Sequence, residues 1–210
     1  MNTLNALTYQ PPQTSQPQSL LVFLHGWGAD AQDLFSLAPL LALPQCWCLF
    51  PNAPFTHPQI PGGRAWYALD SRDLAGLNES RDLLYHWLIS LQAETGVPLN
   101  KTVLGGFSQG GAMSLDVGRE LPLAAVVCLS GYLHFHPREQ AQTLPPIFMA
   151  HGQQDLVVPP EAAQEAKNEL LSIGAQIDYR EFRGGHEIPP LVIEQVRNFI
   201  NNVMEEEPGS

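Results

Sequence analysis

The sequence is poor in cysteine, in basic residues and in long apolar runs, and each scarcity excludes a class of protein. Three cysteines among 210 residues do not form a disulfide framework. Ten Lys and Arg against 21 Asp and Glu give a net charge of -11. This balance argues against nucleic acid and anionic lipid as partners, because their phosphates require basic surfaces. No run of about 18 apolar residues is present, so we predict no stable membrane insertion.

The remaining composition is that of a globular domain. The N-terminus lacks a basic region followed by an apolar stretch, so we predict no signal peptide and a cytoplasmic protein with reduced thiols. Hydrophobic residues make up 44% of the chain and charged residues 15%, which is ordinary for a packed core. We divide the chain into a Pro/Gln-rich lead over 1–19, a single domain over 20–203 and an acidic tail over 204–210. Either a monomer or a homodimer fits this sequence.

Short apolar runs that end near Gly or Pro alternate with longer amphipathic stretches. The runs predict six buried strands, with the last nearest an edge because it alternates: Leu20–Leu24, Cys46–Phe50, Thr102–Leu104, Ala124–Leu129, Ile147–Ala150 and Ile177–Phe182. The stretches predict helices between Asn78 and Gly96, over Gln109–Leu121 and Pro160–Ile173, and from Val192 to Val203. This order predicts an α/β fold with a mainly parallel sheet flanked by helices.

One segment, from Asn52 to Leu77, has no clear period and is rich in Pro, Gly and aromatic residues. A long irregular segment with aromatic side chains is typical of an ordered functional loop. We predict one short strand near Ala65–Leu69. We also expect this loop to wall a substrate site, whose predicted contacts are Trp27, Trp66, Leu69, Leu74 and Leu77.

The clearest chemical motif is Gly106-Phe107-Ser108-Gln109-Gly110, a G-x-S-x-G pattern between a predicted strand and a predicted helix. In this setting the serine lies on a sharp turn at a helix N-terminus, where backbone amides stabilise developing negative charge. We therefore predict that Ser108 is a nucleophile.

A serine nucleophile needs a histidine base and a carboxylate that orients it, in the chain order Ser, Asp or Glu, His. His186 follows the last predicted strand within a glycine-rich loop, and Asp155 directly follows the fifth strand. Asp178 and Glu181 fall within a strand, and Asp116 and Glu120 belong to the helix after Ser108. We therefore predict Ser108, Asp155 and His186 as a catalytic triad.

Two backbone N–H groups are expected to stabilise the oxyanion. One is that of Gln109, the residue after the nucleophile, and the other is that of Trp27 in His25-Gly26-Trp27-Gly28. His134 and His136 lie two residues apart, but no further ligand is spaced to join them. We therefore predict no metal and no cofactor.

Several motifs together resemble the phospholipase/carboxylesterase family, which includes the acyl-protein thioesterases. They are, in chain order, His25-Gly26-Trp27-Gly28, Pro51-Asn52-Ala53-Pro54, Trp66-Tyr67, Gly106 to Gly111, His151 to Asp155 with Val158-Pro159, and Gly185-His186. The resemblance implies an α/β-hydrolase fold without a large cap. It also implies hydrolysis of esters or thioesters by the same triad, with Trp27 and Gln109 at the oxyanion positions. The stretch Gly62 to Tyr67 is closer to bacterial-type esterases of the family than to the eukaryotic thioesterases.

The leading hypothesis is a serine hydrolase for carboxylic esters of short to medium acyl chains, with a small-molecule ester or thioester as its substrate. A second hypothesis is an acyl-thioesterase or lysophospholipase for long chains, with Phe55 and the loop leucines lining a longer groove. A third is a hydrolase-fold receptor without turnover. The third is disfavoured because a receptor has no need of the base.

Overall fold

The fold is built on nine strands and six helices within the described residues. The computed structural model describes residues 3–12, 14–69, 74–134 and 143–205. The strands are β1 (Ala6–Tyr9), β2 (Ser19–Leu24), β3 (Cys46–Pro51), β4 (Phe55–Thr56), β5 (Arg64–Ala65), β6 (Thr102–Phe107), β7 (Ala125–Leu129), β8 (Ile147–Gly152) and β9 (Ile177–Phe182). The helices are α1 (Ala31–Phe35), α2 (Leu37–Leu41), α3 (Leu77–Thr95), α4 (Gln109–Gly118), α5 (Pro160–Ser172) and α6 (Pro190–Glu205).

Seven strands form one sheet in the order β1-β3-β2-β6-β7-β8-β9. Only β1 runs antiparallel to its neighbour; the other pairings are parallel. All six predicted strands are present, and β9 lies at an edge as its alternation predicted. The α/β class with a mainly parallel sheet flanked by helices is thereby confirmed. In the described ranges no element forms a separate cap domain.

Helices cover both faces of the sheet, and side chains of β2 show how the core is divided. Leu20, Val22 and Leu24 pack on one side with α3, α4 and α5. Leu21 and Phe23 pack on the other side with α1, α2 and α6. Burial of each such side chain contributes about 1.5–3 kcal/mol. None of the helices in the described ranges has the length and apolar character needed to cross a bilayer.

Outside the irregular segment, three elements of the structure were not predicted from the sequence. β1 lies within the predicted lead and pairs with β3, from Ala6 opposite Pro51 to Tyr9 opposite Cys48. The helices α1 and α2 span five residues each, too few for a helical period to be visible. Of the predicted tail, residues 206–210 lie outside the described residues.

The irregular segment after β3 forms a small antiparallel ribbon, in which Phe55 pairs with Ala65 and Thr56 with Arg64. The strand predicted near Ala65–Leu69 is therefore shorter and begins one residue earlier. Helix α3 begins after Gly76, whose φ of 88° is left-handed. Asn78, where the sequence predicted this helix to begin, lies inside it.

Candidate active site

Ser108 lies on a sharp turn between β6 and α4. Its φ of 56° and ψ of -118° are unusual for a non-glycine residue. The turn requires close backbone approaches on both sides. A Cβ at position 106 would lie 2.3 Å from the Gly110 carbonyl carbon, and one at position 110 would lie 2.2 Å from the Leu24 carbonyl oxygen. The two motif glycines are needed because no side chain fits at either position.

Asp155 lies in the turn after β8, with its side chain fully buried. Its Oδ1 accepts hydrogen bonds of 2.9 Å from the N–H groups of both Val157 and Val158. Its Oδ2 accepts a 2.7 Å hydrogen bond from His186 Nδ1. Burial alone would raise the pKa of Asp155, but these hydrogen bonds outweigh it, so its pKa lies below the ordinary value. The carboxylate is therefore charged near neutral pH.

The loop after β9 brings His186 to Asp155 because it packs tightly against the turn after β8. Gln154 N–H donates a 2.9 Å hydrogen bond to the Gly184 carbonyl. A Cβ at Gly152 would lie only 2.2 Å from the Gly185 carbonyl oxygen, so the close passage requires glycine there. The His186 ring also packs on Phe107, with centroids 4.6 Å apart. The imidazole thereby lies beside the residue that precedes Ser108.

The hydrogen bond to Asp155 determines the tautomer of His186. A charged carboxylate only accepts, so Nδ1 carries the hydrogen and Nε2 has a free lone pair. In the described part of the chain, no protein hydrogen bond joins Ser108 Oγ to His186 Nε2. Such contacts are often long in free enzymes and tighten when substrate binds. The structure thus brings two of the three predicted residues into contact, and the His186 ring packs on Phe107, the residue before the third.

A second buried histidine, His151, supports the turn that carries Asp155. Its Nε2 lies 2.9 Å from the Val158 carbonyl oxygen and 3.4 Å from Asp155 Oδ2. The carbonyl can only accept, so Nε2 carries a hydrogen. This N–H ties the end of the turn to β8 and adds positive potential beside the carboxylate.

Trp27 and Gln109, the two predicted oxyanion residues, each have an unengaged backbone N–H. Within the residues that the structure describes, neither group has an acceptor. The next amide along the loop is engaged, because Gly28 N–H donates to the Arg64 carbonyl at 2.8 Å. The α4 N-terminus adds the partial positive charge of its dipole at Gln109.

The side chain of Gln109 has a separate, structural task. Its Oε1 accepts from Trp66 N–H and its Nε2 donates to the Tyr67 carbonyl, both at 2.9 Å. It therefore anchors the segment after β5 to the start of α4. Because both amide ends are occupied, Gln109 offers only its backbone N–H to an oxyanion.

His25 fastens the loop that carries Trp27. Its Nε2 accepts a 3.1 Å hydrogen bond from Ala53 N–H, so Nδ1 carries the hydrogen and donates to the Gly26 carbonyl at 2.7 Å. Burial lowers the pKa of His25. The neutral imidazole is the form that fits, because a protonated Nε2 could not accept from Ala53.

A cavity of about 900 Å³ opens beside Ser108. Its walls are mainly apolar, with one tyrosine, one histidine, one glutamine and two glutamates among them. Besides Ser108, the lining residues are Leu69, Gln109, Tyr132, Leu133, His134, Val157, Val158, Pro159, Ala162, Glu165, Ala166 and Glu169. Leu69 lies where it was predicted, at the wall. The α5 side of the cavity carries the two carboxylates.

Several of the predicted substrate contacts lie elsewhere. Trp66 is fully buried, and its indole N–H donates to the His25 carbonyl at 3.0 Å. Leu77 is also buried in the core, and Leu74 packs against the same cluster. The prediction that Trp66 and Leu77 line the groove is wrong, because the ribbon and α3 turn them toward the sheet. Trp27 is about one third exposed and packs on His57, with ring centroids 4.2 Å apart.

The polar wall of the cavity, formed by Tyr132 and His134, was not predicted from the sequence. His134 Nδ1 lies 2.6 Å from Asp116 Oδ2, and its Nε2 lies 2.6 Å from the Tyr67 hydroxyl. His136 lies outside the described residues. Among the described side chains, no group of three or more His, Cys, Asp or Glu could hold a metal ion. The only hint of this wall in the sequence was the position of Asp116 on the helix after Ser108. That position does not reveal the direction of the Asp116 side chain.

Comparison with known proteins gives a consistent result. The model of the Phospholipase/Carboxylesterase family matches residues 10–204. An acyl-protein thioesterase 1 from Emericella nidulans is 28% identical, covering 94% of this chain and 95% of its own length. An acyl-protein thioesterase 1 homolog 1 from Dictyostelium discoideum is 31% identical, covering 73% of this chain and 75% of its own.

Among solved structures, the crystal structure of esterase PE8 is similar with a TM-score of 0.89 and 31% identity, covering 96% of this chain and 99% of that one. The carboxylesterase of Bacillus cereus has a TM-score of 0.81 at 18% identity, covering 95% of this chain and 94% of its own, a likeness of fold alone. These similarities confirm the predicted α/β-hydrolase fold.

Proposed function

The chain belongs to the phospholipase/carboxylesterase family, and on that premise we propose that it is a serine hydrolase for carboxylic esters of short to medium acyl chains. The observation that carries the proposal is the His186–Asp155 hydrogen bond of 2.7 Å beside the strained turn of Ser108. A buried carboxylate that orients an imidazole has a direct use in activating a serine.

In this proposal, Ser108 Oγ attacks the ester carbonyl carbon while His186 Nε2 takes the serine proton. The oxyanion is stabilised by the N–H groups of Trp27 and Gln109. Collapse breaks the bond to the alcohol, which leaves with the proton from His186 and gives an acyl-Ser108 ester. Water then attacks this ester, again with His186 as base, and releases the acid. Asp155 stays charged throughout and stabilises the imidazolium.

The lining of the cavity supports short to medium chains. An apolar groove for a long acyl chain requires continuous apolar walls, because every buried methylene contributes about 0.8 kcal/mol. Here Glu165 and Glu169 line the α5 side, and Trp66 and Leu77 are withdrawn into the core. A long chain would therefore have to pass carboxylates that oppose an apolar neighbour.

The test is a series of p-nitrophenyl esters from acetyl to palmitoyl, measured beside a palmitoyl thioester and a lysophospholipid. We expect kcat/KM to rise about fourfold per methylene as far as butanoyl or octanoyl, and then to level off or fall. A steady rise through palmitoyl, with the thioester best, would contradict the chain-length assignment.

That contrary outcome would favour the second candidate, an acyl-protein thioesterase or lysophospholipase. The names of the relatives from Emericella nidulans and Dictyostelium discoideum favour it. The same triad chemistry serves both candidates, since an acyl-serine forms from an ester or a thioester alike. The comparison of oxygen and sulfur esters with the same acyl chain separates them. A receptor without turnover would show no hydrolysis of any of these compounds.

A further inference from the structure

A second histidine–aspartate pair starts a buried chain of hydrogen bonds that ends at the cavity wall. His134 Nδ1 lies 2.6 Å from Asp116 Oδ2, and His134 Nε2 lies 2.6 Å from the Tyr67 hydroxyl. The Tyr67 hydroxyl in turn lies 2.6 Å from that of Tyr132. We refer to these four residues as the tyrosine relay. Tyr132 and His134 line the same cavity as Ser108.

The Asp116 end of the relay sets its electrostatic state. The Asp116 side chain is fully buried, and besides His134 it faces Arg81, whose Nε lies 3.9 Å from Oδ2. The Arg81 guanidinium also bonds Glu120, in the turn that follows α4, at 2.8 Å. The guanidinium and the imidazole both present N–H donors toward this carboxylate. Asp116 therefore acts as an acceptor only.

The direction of each hydrogen bond then follows. Because Asp116 accepts, His134 Nδ1 carries a hydrogen, and in the imidazole tautomer that this selects, Nε2 is the acceptor. The Tyr67 hydroxyl must donate its only hydrogen to Nε2. Its oxygen is then the acceptor for the hydroxyl hydrogen of Tyr132. At the end of the relay, the Tyr132 hydroxyl donates its hydrogen bond to Tyr67, so toward any other group its oxygen can only accept.

We infer that Tyr132 determines specificity by accepting a hydrogen bond from an O–H or N–H group of the substrate. In this assignment Tyr67, His134 and Asp116 are positioning residues that keep the Tyr132 oxygen an acceptor. The inference rests on the proposed function, since it concerns the substrate of the Ser108 site. It selects esters that carry a hydroxyl or amide donor, and it disfavours esters with an ether or carbonyl oxygen at the same place, because two lone pairs would face each other.

The test uses pairs of p-nitrophenyl esters of equal shape. A butanoyl or pentanoyl ester with a hydroxyl at carbon 3 or 4 is compared with its methyl isostere, and a methoxy ester is compared with its ethyl isostere. A second panel places the same groups on the leaving alcohol. The measured quantity is the ratio of kcat/KM within each pair, which a general loss of stability or of catalytic power does not change.

We expect the hydroxyl-to-methyl ratio to fall about fivefold in Tyr132→Phe at one of the tested positions. Tyr67→Phe is the sharper variant, because it removes the acceptor and lets the Tyr132 hydroxyl donate into the cavity. The methoxy-to-ethyl ratio should then rise several-fold above that of the wild type. Tyr9→Phe, on β1 against Phe35, is the matched control and should leave all ratios unchanged.

Two failures are distinguishable. If the wild type hydrolyses the plain esters but the ratios are the same in wild type, Tyr132→Phe and Tyr67→Phe, the inference about the tyrosine relay is wrong and the proposed function stands. If the wild type hydrolyses none of the esters, the proposed function itself fails.

Discussion

The protein contains two histidine–aspartate pairs of nearly equal length that lie in different settings. His186 and Asp155 are 2.7 Å apart, and His134 and Asp116 are 2.6 Å apart. Both carboxylates are fully buried. The His186 ring is 17% exposed and the His134 ring 1%. The Nε2 atom of His134 is hydrogen-bonded to the Tyr67 hydroxyl. Among the described residues, the Nε2 atom of His186 has no protein hydrogen-bond partner.

A histidine–aspartate pair therefore does not by itself define a catalytic base. An imidazole oriented by a carboxylate is useful as a base only if its other nitrogen can reach the reacting proton. The lone pair of His186 is available beside the turn of Ser108, whereas that of His134 is already used within the protein. We therefore assign chemistry to the first pair and orientation of the cavity wall to the second.

Removing the Ser108 hydroxyl, which lies beside the His186–Asp155 pair, should have the largest effect on turnover. Ser108→Ala should lower kcat by about 10⁶, since the triad acts as a unit. Ser130→Ala is the matched control, because Ser130 also follows a parallel strand, is buried and has a positive φ of 48°. Turnover of p-nitrophenyl butanoate measures both. A Ser108→Ala variant that keeps its activity would remove the distinction between the two pairs.

Replacing Asp155 should mainly lower kcat, whereas replacing Asp116 should mainly lower the free energy of unfolding. Asp155→Asn should keep the fold and lower kcat about 10⁴-fold, because His186 would adopt the wrong tautomer and its imidazolium would lose a counter-charge. Asp116→Asn should lower the free energy of unfolding by about 2 kcal/mol and lower kcat for the plain ester less than tenfold. Urea unfolding and steady-state kinetics on the same samples test this. A folded Asp116→Asn without activity, beside an active Asp155→Asn, would reverse the assignment.

The sequence alone identified the first pair and not the second, for physical reasons. The positions of Asp155 and His186 follow from strand ends, because all parallel strands deliver their carboxyl ends to one edge of the sheet. Asp116 lies in the last turn of α4, and the direction of its side chain depends on where this helix packs. The sequence periodicity of α4 is obscured since all its residues are buried.

The same limit explains the errors in the irregular segment. The apolar residues there show no helical or strand periodicity that would place them in the core, so the sequence predicted them at the groove. Trp66 and Leu77 are in fact core residues, set by the ribbon β4–β5 and by the Gln109 side chain, a contact 43 residues distant in sequence. β1 was not predicted because it has only four residues, two of them exposed and two partly buried, and so forms no buried apolar run.

His25 differs from His186 and His134 because its hydrogen-bond partners are backbone groups and include no carboxylate. Burial lowers its pKa, so above pH of about 6.5 it is neutral in both states and contributes nothing to pH dependence. As the pH falls below that value, the unfolded chain takes up the proton first and stability decreases. Asp155, with its lowered pKa, adds stability above about pH 4 that is lost on further acidification.

The free energy of unfolding measured in urea from pH 8 to pH 4.5 tests this expectation. The wild type should lose at most about 1.4 kcal/mol per pH unit more than His25→Gln, which has no titrating group there. If the two proteins show the same slope between pH 6.5 and 4.5, His25 is not held neutral by its buried setting.

A smaller effect is expected from the wall of the cavity beside Ser108. Leu69→Ala should lower kcat/KM for octanoyl esters about threefold and leave the acetyl ester nearly unchanged, because Leu69 lines the cavity and is 42% exposed. Leu77→Ala should instead cost about 2–5 kcal/mol of stability, since Leu77 is a core residue. Equal chain-length selectivity in the wild type and Leu69→Ala would mean that the acyl chain lies elsewhere.

Mapping a covalent adduct tests whether Ser108 is the nucleophile that His186 and Asp155 activate. The protein is treated with a fluorophosphonate, digested, and its peptides are analysed by mass spectrometry. We predict one adduct, on Ser108, which forms far more slowly in Asp155→Asn and at the wild-type rate in Ser130→Ala. An adduct on another residue, or labelling of Ser108 at equal rates in wild type and Asp155→Asn, would contradict the account.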